Sequence, residues 1–266
     1  MRLMRSFWKK LATRIGNVHA DCSSASQRRP VLRVEELAEF LAFDFETRST
    51  PTFLADRRPE DPENPVISTC STLLAVVPPV IQFAHFSVKE YLTSARLARA
   101  KDTISRFHIP MTMAHTVIAQ ACLGVLLNLD KGISSAALTN FPLAEYVAKH
   151  WMDHARLENV SLHVQDEMNR LFDPRKHHLS IWVWISDPYV TSYYRSRSFV
   201  PYEKAGSTPL HYAASIGLHD VAAFPIGEQL QDMDAFDYKM RETRYMQHRA
   251  RDMRLSLSCF LRMVRM

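Results

Sequence analysis

Between Met111 and Leu129, apolar side chains return every three or four residues: Val117, Ile118, Ala121, Cys122, Val125, Leu126 and Leu129. That period predicts a helix of about five turns with one buried stripe. Such a helix gains its stability from whatever covers the stripe, so the chain has to build a helical core around it. Composition permits this, since 47% of the 266 residues are hydrophobic. Six glycines in the whole chain argue against a loop-rich β fold and against a glycine-built phosphate site.

Upstream, Val34, Leu37, Ala38 and Leu41 of VEELAEFLAF (34–43) share a helical face. The stretch from Phe45 to Pro65 is rich in Pro, Asp, Glu and Arg and predicts a loop. VISTCSTLLAVV (66–77) predicts a short apolar helix stopped by Pro78 and Pro79. Val80 to Ala84 predicts a strand. Ser87-Val-Lys-Glu90 has the form of a capping box, in which the serine oxygen accepts an N–H three residues on and Glu90 reaches back. It opens a helix running through Tyr91 and Leu92 to about Leu97. Helix, helix, strand or wing, helix is the outline of a winged-helix unit. Downstream, Asp130-Lys-Gly132 ends the long helix, and Pro142 opens another that carries Leu143, Tyr146, Val147, His150, Trp151 and His154. A further helix is expected from about Val160 to Phe172, closed by Asp173-Pro174. LSIWVWIS (179–186) is either a buried helix turn or a strand, because periodicity does not separate the two at that length. Residues 187–206 are aperiodic and rich in Tyr, Ser and Arg, a linker.

The formal charge of +5 hides an uneven distribution. Residues 1–29 carry seven Lys/Arg and one acid, and residues 239–266 carry eight and two. Each end is therefore +6, which leaves residues 30–238 at −7. An acidic body argues against nucleic acid, whose affinity comes largely from phosphate contacts. The helix expected at 66–77, the one that would enter a groove, also carries no Lys or Arg for base readout.

Cys22, Cys70, Cys122 and Cys259 are far apart and form no CxxC, so neither a disulfide framework nor a zinc module is expected, and an intracellular, cytoplasmic protein fits best. Cys70 and Cys122 stand in apolar runs, as small hydrophobes do. The longest apolar stretch, Thr116 to Leu129, contains Gln120 and Asn128, and no membrane span is expected. Residues 1–20 are basic and acid-free; their alternative reading is a mitochondrial transit peptide.

Near the C-terminal end, Gly206-Ser-Thr-Pro-Leu-His-Tyr-Ala-Ala-Ser-Ile-Gly217 fits the ankyrin signature TPLHxAAxxG. Thr208 would cap a first helix and Pro209 fill its first position. Leu210, Ala213 and Ala214 would face a neighbouring repeat, with His211 in the signature and Gly217 in the left-handed turn. No second signature follows about 33 residues later, and Pro225 falls where a second helix should run. Leu210, Ala213 and Val221 are therefore expected to be partly exposed, or covered by the preceding helical segment on one side only.

From about Pro30 to Ile226 the chain resembles fungal NACHT–ankyrin proteins, relatives of the animal NLR receptors. The stretches that carry the resemblance are RVEELAEFLAFDF (33–45), RRPEDPENPVISTCSTLLAVV (57–77), QFAHFSVKEYLTS (82–94), AHTVIAQACLGVLLNLD (114–130), NFPLAEYVAKHWMDHARLENV (140–160), MNRLFDP (168–174) and STPLHYAASIG (207–217). The resemblance implies a mainly α fold: a winged-helix unit of the GPI inositol-deacylase type, then an α-helical connector and a truncated ankyrin repeat. The implied division is an unmatched basic extension at 1–28, a winged-helix-like domain at 29–105, the connector at 106–186, the linker at 187–206, one degenerate repeat at 207–227 and an unmatched basic tail at 228–266. Both unmatched ends are expected to be mobile. In that family a P-loop ATPase precedes this region, but no GxxxxGK[ST] occurs here, so nucleotide hydrolysis is not carried over.

The remaining chemical readings are weak. His150 and His154 have the i, i+4 spacing of zincin ligands, but Trp151 stands where the glutamate base belongs, so helix packing is expected instead of a metal site. His177-His178 predicts a solvated turn. Trp151, Trp182 and Trp184 suit a core better than an aromatic binding surface. No GxSxG elbow is present, which argues against a GPI inositol-deacylase-like hydrolase. The function expected is non-catalytic, without a cofactor: protein–protein interaction or conformational relay in a signalling protein, with protein partners. The alternative is a truncated gene product without a role of its own.

Overall fold

Long apolar periods separated by short polar breaks give a mainly helical chain. The computed structural model describes residues 32–44, 51–62, 74–77, 80–139, 141–157 and 159–186, together with Pro209, Tyr212, Ala213 and Ile216. The expectations for both basic ends, for the 187–206 linker and for Thr208, Leu210, His211, Ala214, Gly217 and Val221 lie outside these residues. Contacts divide the chain into two units, residues 1–125 with 134–163 and residues 126–133 with 164–266.

The first unit opens with α1 (Val34–Glu39), which tightens into a 3-10 turn over Phe40–Ala42. Val34, Leu37 and Ala38 are buried as the stripe requires. The start of α1 is closed by Glu36, whose Oε2 accepts the Arg33 N–H at 2.8 Å while its Oε1 takes the Arg33 Nε–H at 3.2 Å. Two residues of β1 (Phe43–Asp44) then pair antiparallel with β2 (Thr52–Phe53), inside the segment expected to be pure loop. A 3-10 turn follows at Ala55–Arg57.

The apolar helix expected at 66–77 is not there at its C-terminal end. Leu74–Val77 is a strand, β3, paired antiparallel with β4 (Val80–Phe83) in the register Leu74↔Phe83 to Val77↔Val80. The reason is local: Val76 and Val77 face Ile81 and Val80 across the ladder, and β-branched pairs favour a pleated surface over a helix. The groove-entering helix of a winged-helix reading is thereby lost over these four residues.

The capping box is also displaced. Helix α2 (Phe86–Thr93) begins one residue before Ser87, and His85 is its cap. The His85 Nδ1 accepts the Ser87 N–H at 3.2 Å and lies 2.7 Å from the Ser87 hydroxyl. Ser87 is thus engaged backwards, and Glu90 stands exposed on the helix surface. The helix does not reach Leu97 either. Ser94 turns extended, donates its hydroxyl to the Tyr91 carbonyl at 2.7 Å and accepts the Leu97 N–H at 3.2 Å, ending α2 and capping α3 (Ala95–Ala98) in one step. With α4 (Asp102–Ser105), these helices close over Leu92, Leu97, Ile109 and Ala114, flanked by Phe83, Val88 and Ala100.

The predicted long helix is α5 (Met111–Asn128). Its burial is wider than a stripe, since every residue from Ala121 to Leu127 is buried. A helix apolar on all sides is a core helix. By length and composition α5 could also cross a membrane, but 61% of it is buried inside the protein. Then come α6 (Ser135–Thr139), α7 (Leu143–Ala155) and α8 (Val160–His163). Asn159, at φ 65°, makes the left-handed turn before α8.

In the second unit, the helix expected at 160–172 is interrupted at Val164, so α9 spans only Gln165–Leu171. Asp173 ends it by accepting the Arg175 N–H and Nε–H, each at 3.0 Å, which holds its carboxyl below the usual range. LSIWVWIS resolves as helix: α10 is His178–Ile185. Trp182 is fully buried and meets Phe172 at 5.9 Å and Tyr212 at 5.9 Å between ring centroids. Tyr212 and Ala213 are both 0% exposed. Ala213 is thus not partly exposed, while its neighbour Tyr212 packs on Trp182 of the expected connector.

Candidate functional site

Chemistry-bearing side chains converge on the two ends of α7. Its first turn leaves backbone N–H groups without partners inside the helix. Pro142 stands at the cap position and brings no side-chain acceptor. The Leu143 N–H instead donates to Glu39 Oε2 at 2.9 Å, 104 residues away at the end of α1. The positive end of a helix suits a carboxylate there.

Glu39 is buried, and its Oε1 lies 2.7 Å from Arg58 Nη2. The Arg58 guanidinium in turn lies over two rings, 5.6 Å from the centroid of Phe53 and 5.4 Å from that of Phe141. Those rings are 5.0 Å apart, and Phe53 also meets Phe43 edge-on at 5.3 Å. Burial raises the Glu39 carboxyl from 4.5 to about 7; the Leu143 N–H and Arg58 pull it partly back, and Glu36 pushes it further up.

At the other end stands His154, 1% exposed. Its Nδ1 is 2.9 Å from the Nδ1 of His115, a buried residue on the second turn of α5. Its Nε2 is 3.2 Å from the hydroxyl of Tyr146, two turns back on α7. A neutral imidazole offers one donor and one acceptor, so His154 donates to one neighbour and accepts from the other. Burial holds His154 well below its ordinary value, and His115 and His150 add to the effect. Burial likewise pushes the Tyr146 phenol and the Cys122 thiol well up. At the surface, His150 Nδ1 lies 2.9 Å from Asp153 Oδ2.

The structure therefore separates the two zincin-spaced histidines. His150 pairs with Asp153, while His154 points to His115 and Tyr146. Among the described residues no group of three or more His, Cys, Asp or Glu could hold a metal ion. Trp151 and Trp182 are buried core residues. His177 and His178 are half-buried instead of solvated, with ring centroids 4.6 Å apart and His177 Nε2 3.3 Å from the Leu129 carbonyl. Of the ankyrin-signature residues, Pro209 and Ala213 are described, and both are buried.

Sequence reasoning missed Glu39, Arg58 and His115. His115 carried a signal: positions 115, 118, 122, 125 and 129 lie on one helical face, so a histidine stood on the apolar stripe. Glu39 carried none, because a glutamate beside Val34, Leu37 and Ala38 reads as the solvated side of a short helix.

No protein-family model matches the chain. No solved structure matches it either. The chain is similar to the azaphilone pigments biosynthesis cluster protein L of Monascus ruber, 32% identical over 159 residues that cover 58% of this chain and 33% of that protein. The chain thus spans about a third of the length of the curated relative it matches.

Proposed function

We propose that this chain is a non-catalytic relay and interaction module of the NACHT–ankyrin type, with a winged-helix-like part at 29–105, a helical connector at 106–186 and the start of an ankyrin array at 207–227. The observation that carries the reading is the double anchorage of α7. Its first residue is held by Glu39 and its last turn by His115, side chains that lie 104 and 39 residues away in sequence. A rigid helix tied at each end to a different element carries a displacement at one end to the other. The polar groups involved are turned on one another, which suits holding a conformation more than attacking a substrate.

The test is hydrogen exchange on the whole chain. Glu39→Ala removes the acceptor of the Leu143 N–H and so alters the first turn of α7, and a relay passes the change to His150–Ala155. A change confined to residues near Leu143 would refute it. The same protein should release no phosphate from ATP or GTP above a buffer blank; magnesium-dependent turnover at enzyme-like rates would refute the non-catalytic part.

A second reading draws on the Monascus ruber relative, whose name places it with a pigment biosynthesis cluster. On that reading the chain serves a biosynthetic cluster, and deleting its gene would change pigment output. An unchanged pigment profile would set this reading aside.

A further inference from the structure

We propose that residues 86–113 form a docking surface for an anionic lipid bilayer, with lysine and arginine side chains meeting the headgroups and single apolar side chains entering the headgroup boundary. Helices α2, α3 and α4 and the start of α5 close over one small core of Leu92, Leu97, Ile109 and Ala114. The side chains left outside that core are of two kinds. Phe86, Ile104 and Met113 are large and apolar, yet 68%, 47% and 54% exposed. Groups that project this far suit a fluid surface, which takes up each one separately, whereas a protein groove has to match them together.

The others are basic. Arg96 and Arg99 stand three residues apart at α3, and fully buried Leu97 between them marks the inner side. Lys101 precedes α4, and its carbonyl accepts the Ile104 N–H at 2.8 Å, which sets Ile104 one turn further on. Arg96, Arg99 and Lys101 are exposed, and among the described residues none of the three enters an ion pair. The exposed Arg106 guanidinium lies 5.0 Å from the centroid of the Phe107 ring.

Charge points to the occupant. Five Lys/Arg stand against Glu90 and Asp102 in residues 86–113, so this segment is +3 within a body, residues 30–238, of −7, and the remainder of that body is −10. The basic charge is therefore concentrated against the trend of the chain. At physiological salt, charges further than about 8 Å are largely screened, so the basic groups nearest a surface decide what it attracts. Basic groups interleaved with apolar ones gain twice at an anionic bilayer, from its negative potential and from burial at the acyl boundary. A nucleic acid would use the arginines and stack on aromatic rings, but Ile104 and Met113 offer bases no such platform. The surface uses none of the contacts that anchor α7, so its failure leaves the relay reading untouched.

The experiment is co-sedimentation of the full chain with vesicles of phosphatidylcholine alone, and of seven parts phosphatidylcholine to three parts phosphatidylserine, at physiological salt. The chain should partition into the mixed vesicles and not into the neutral ones. Joint replacement Arg96→Glu, Arg99→Glu and Lys101→Glu should weaken that partitioning at least about tenfold. Joint replacement Phe86→Ser, Ile104→Ser and Met113→Ser should weaken it as well, with the melting temperature kept. No partitioning into the mixed vesicles, or equal partitioning into both kinds, overturns the proposal. So does partitioning that survives the charge reversal, which would assign it to other basic residues of the chain. Binding to a short DNA duplex in place of vesicles, lost on the same reversal, would make this a nucleic-acid surface and overturn the lipid one. Should the reversed chain fail to fold, Arg96→Gln, Arg99→Gln and Lys101→Gln together take its place, and undiminished partitioning again overturns the proposal.

Discussion

Glu39 shows what burial does to a single carboxyl. Its value rises from 4.5 to about 7, so the folded state holds a proton that the unfolded chain has released. The stability from that proton is complete below pH 4.5 and is lost as pH climbs to 7. Glu39→Gln keeps an acceptor for the Leu143 N–H without this loss, so the fall in melting temperature between pH 5 and pH 8 should shrink in the variant. An equal fall would place the titration elsewhere. His178 has the opposite sign: burial, and next His177, lower it from 6.5 to about 4, so its contribution is lost as pH falls through that window. Gly124 makes a steric point at the same scale. A Cβ there would meet the Pro51 carbonyl oxygen at 2.8 Å, while one at Gly132 would meet nothing within 4 Å. Gly124→Ala should cost about 1–3 kcal/mol through overpacking, against a helix-propensity gain of about 1 kcal/mol. Gly132→Ala should leave denaturant midpoints nearly unchanged.

At the scale of elements, whatever had a long period was legible. The 111–129 pattern became α5, and Pro142 marked the start of α7 within one residue. Short segments were not. Four residues of a supposed helix became β3, because VISTCSTLLAVV is too short for its period to outweigh the strand preference of Val76 and Val77. Ser94 split a helix by accepting one backbone bond and donating another, a choice two neighbouring turns make together. The anchors of α7 were least legible, since Glu39 and Arg58 meet only after the chain between them folds back. The Trp182 cluster yields a prediction of its own. Tyr212 is 0% exposed against Trp182, so Tyr212→Ala should cost about 3 kcal/mol in chemical denaturation, as large core truncations do. A cost below 1 kcal/mol would show that its segment is not integral to that core. Between α7 and α8, Asn159 at φ 65° should accept glycine freely, whereas Asn159→Val should cost about 1–2 kcal/mol.

For the molecule as a whole, Cys122 offers a reporter. It is fully buried and burial pushes its thiol well up, while only a thiolate alkylates readily. Peptide mapping after iodoacetamide at pH 8 should find Cys122 unmodified in the native chain and modified in denaturant. Rapid native labelling would mean that the core of the first unit opens easily. The two units have one further property. The chain passes from one to the other after Val125, after Ile133 and again after His163, and the first passage falls inside α5 with no loop to mark it. A single cut after His163 therefore keeps both segments of the first unit on one fragment but strips residues 126–133 from the second, and no single cut frees the second unit intact. A truncation at residue 125 would sever a helix in mid-course, strand the carbonyls of its last turn, and take residues 134–163 away from the unit they complete.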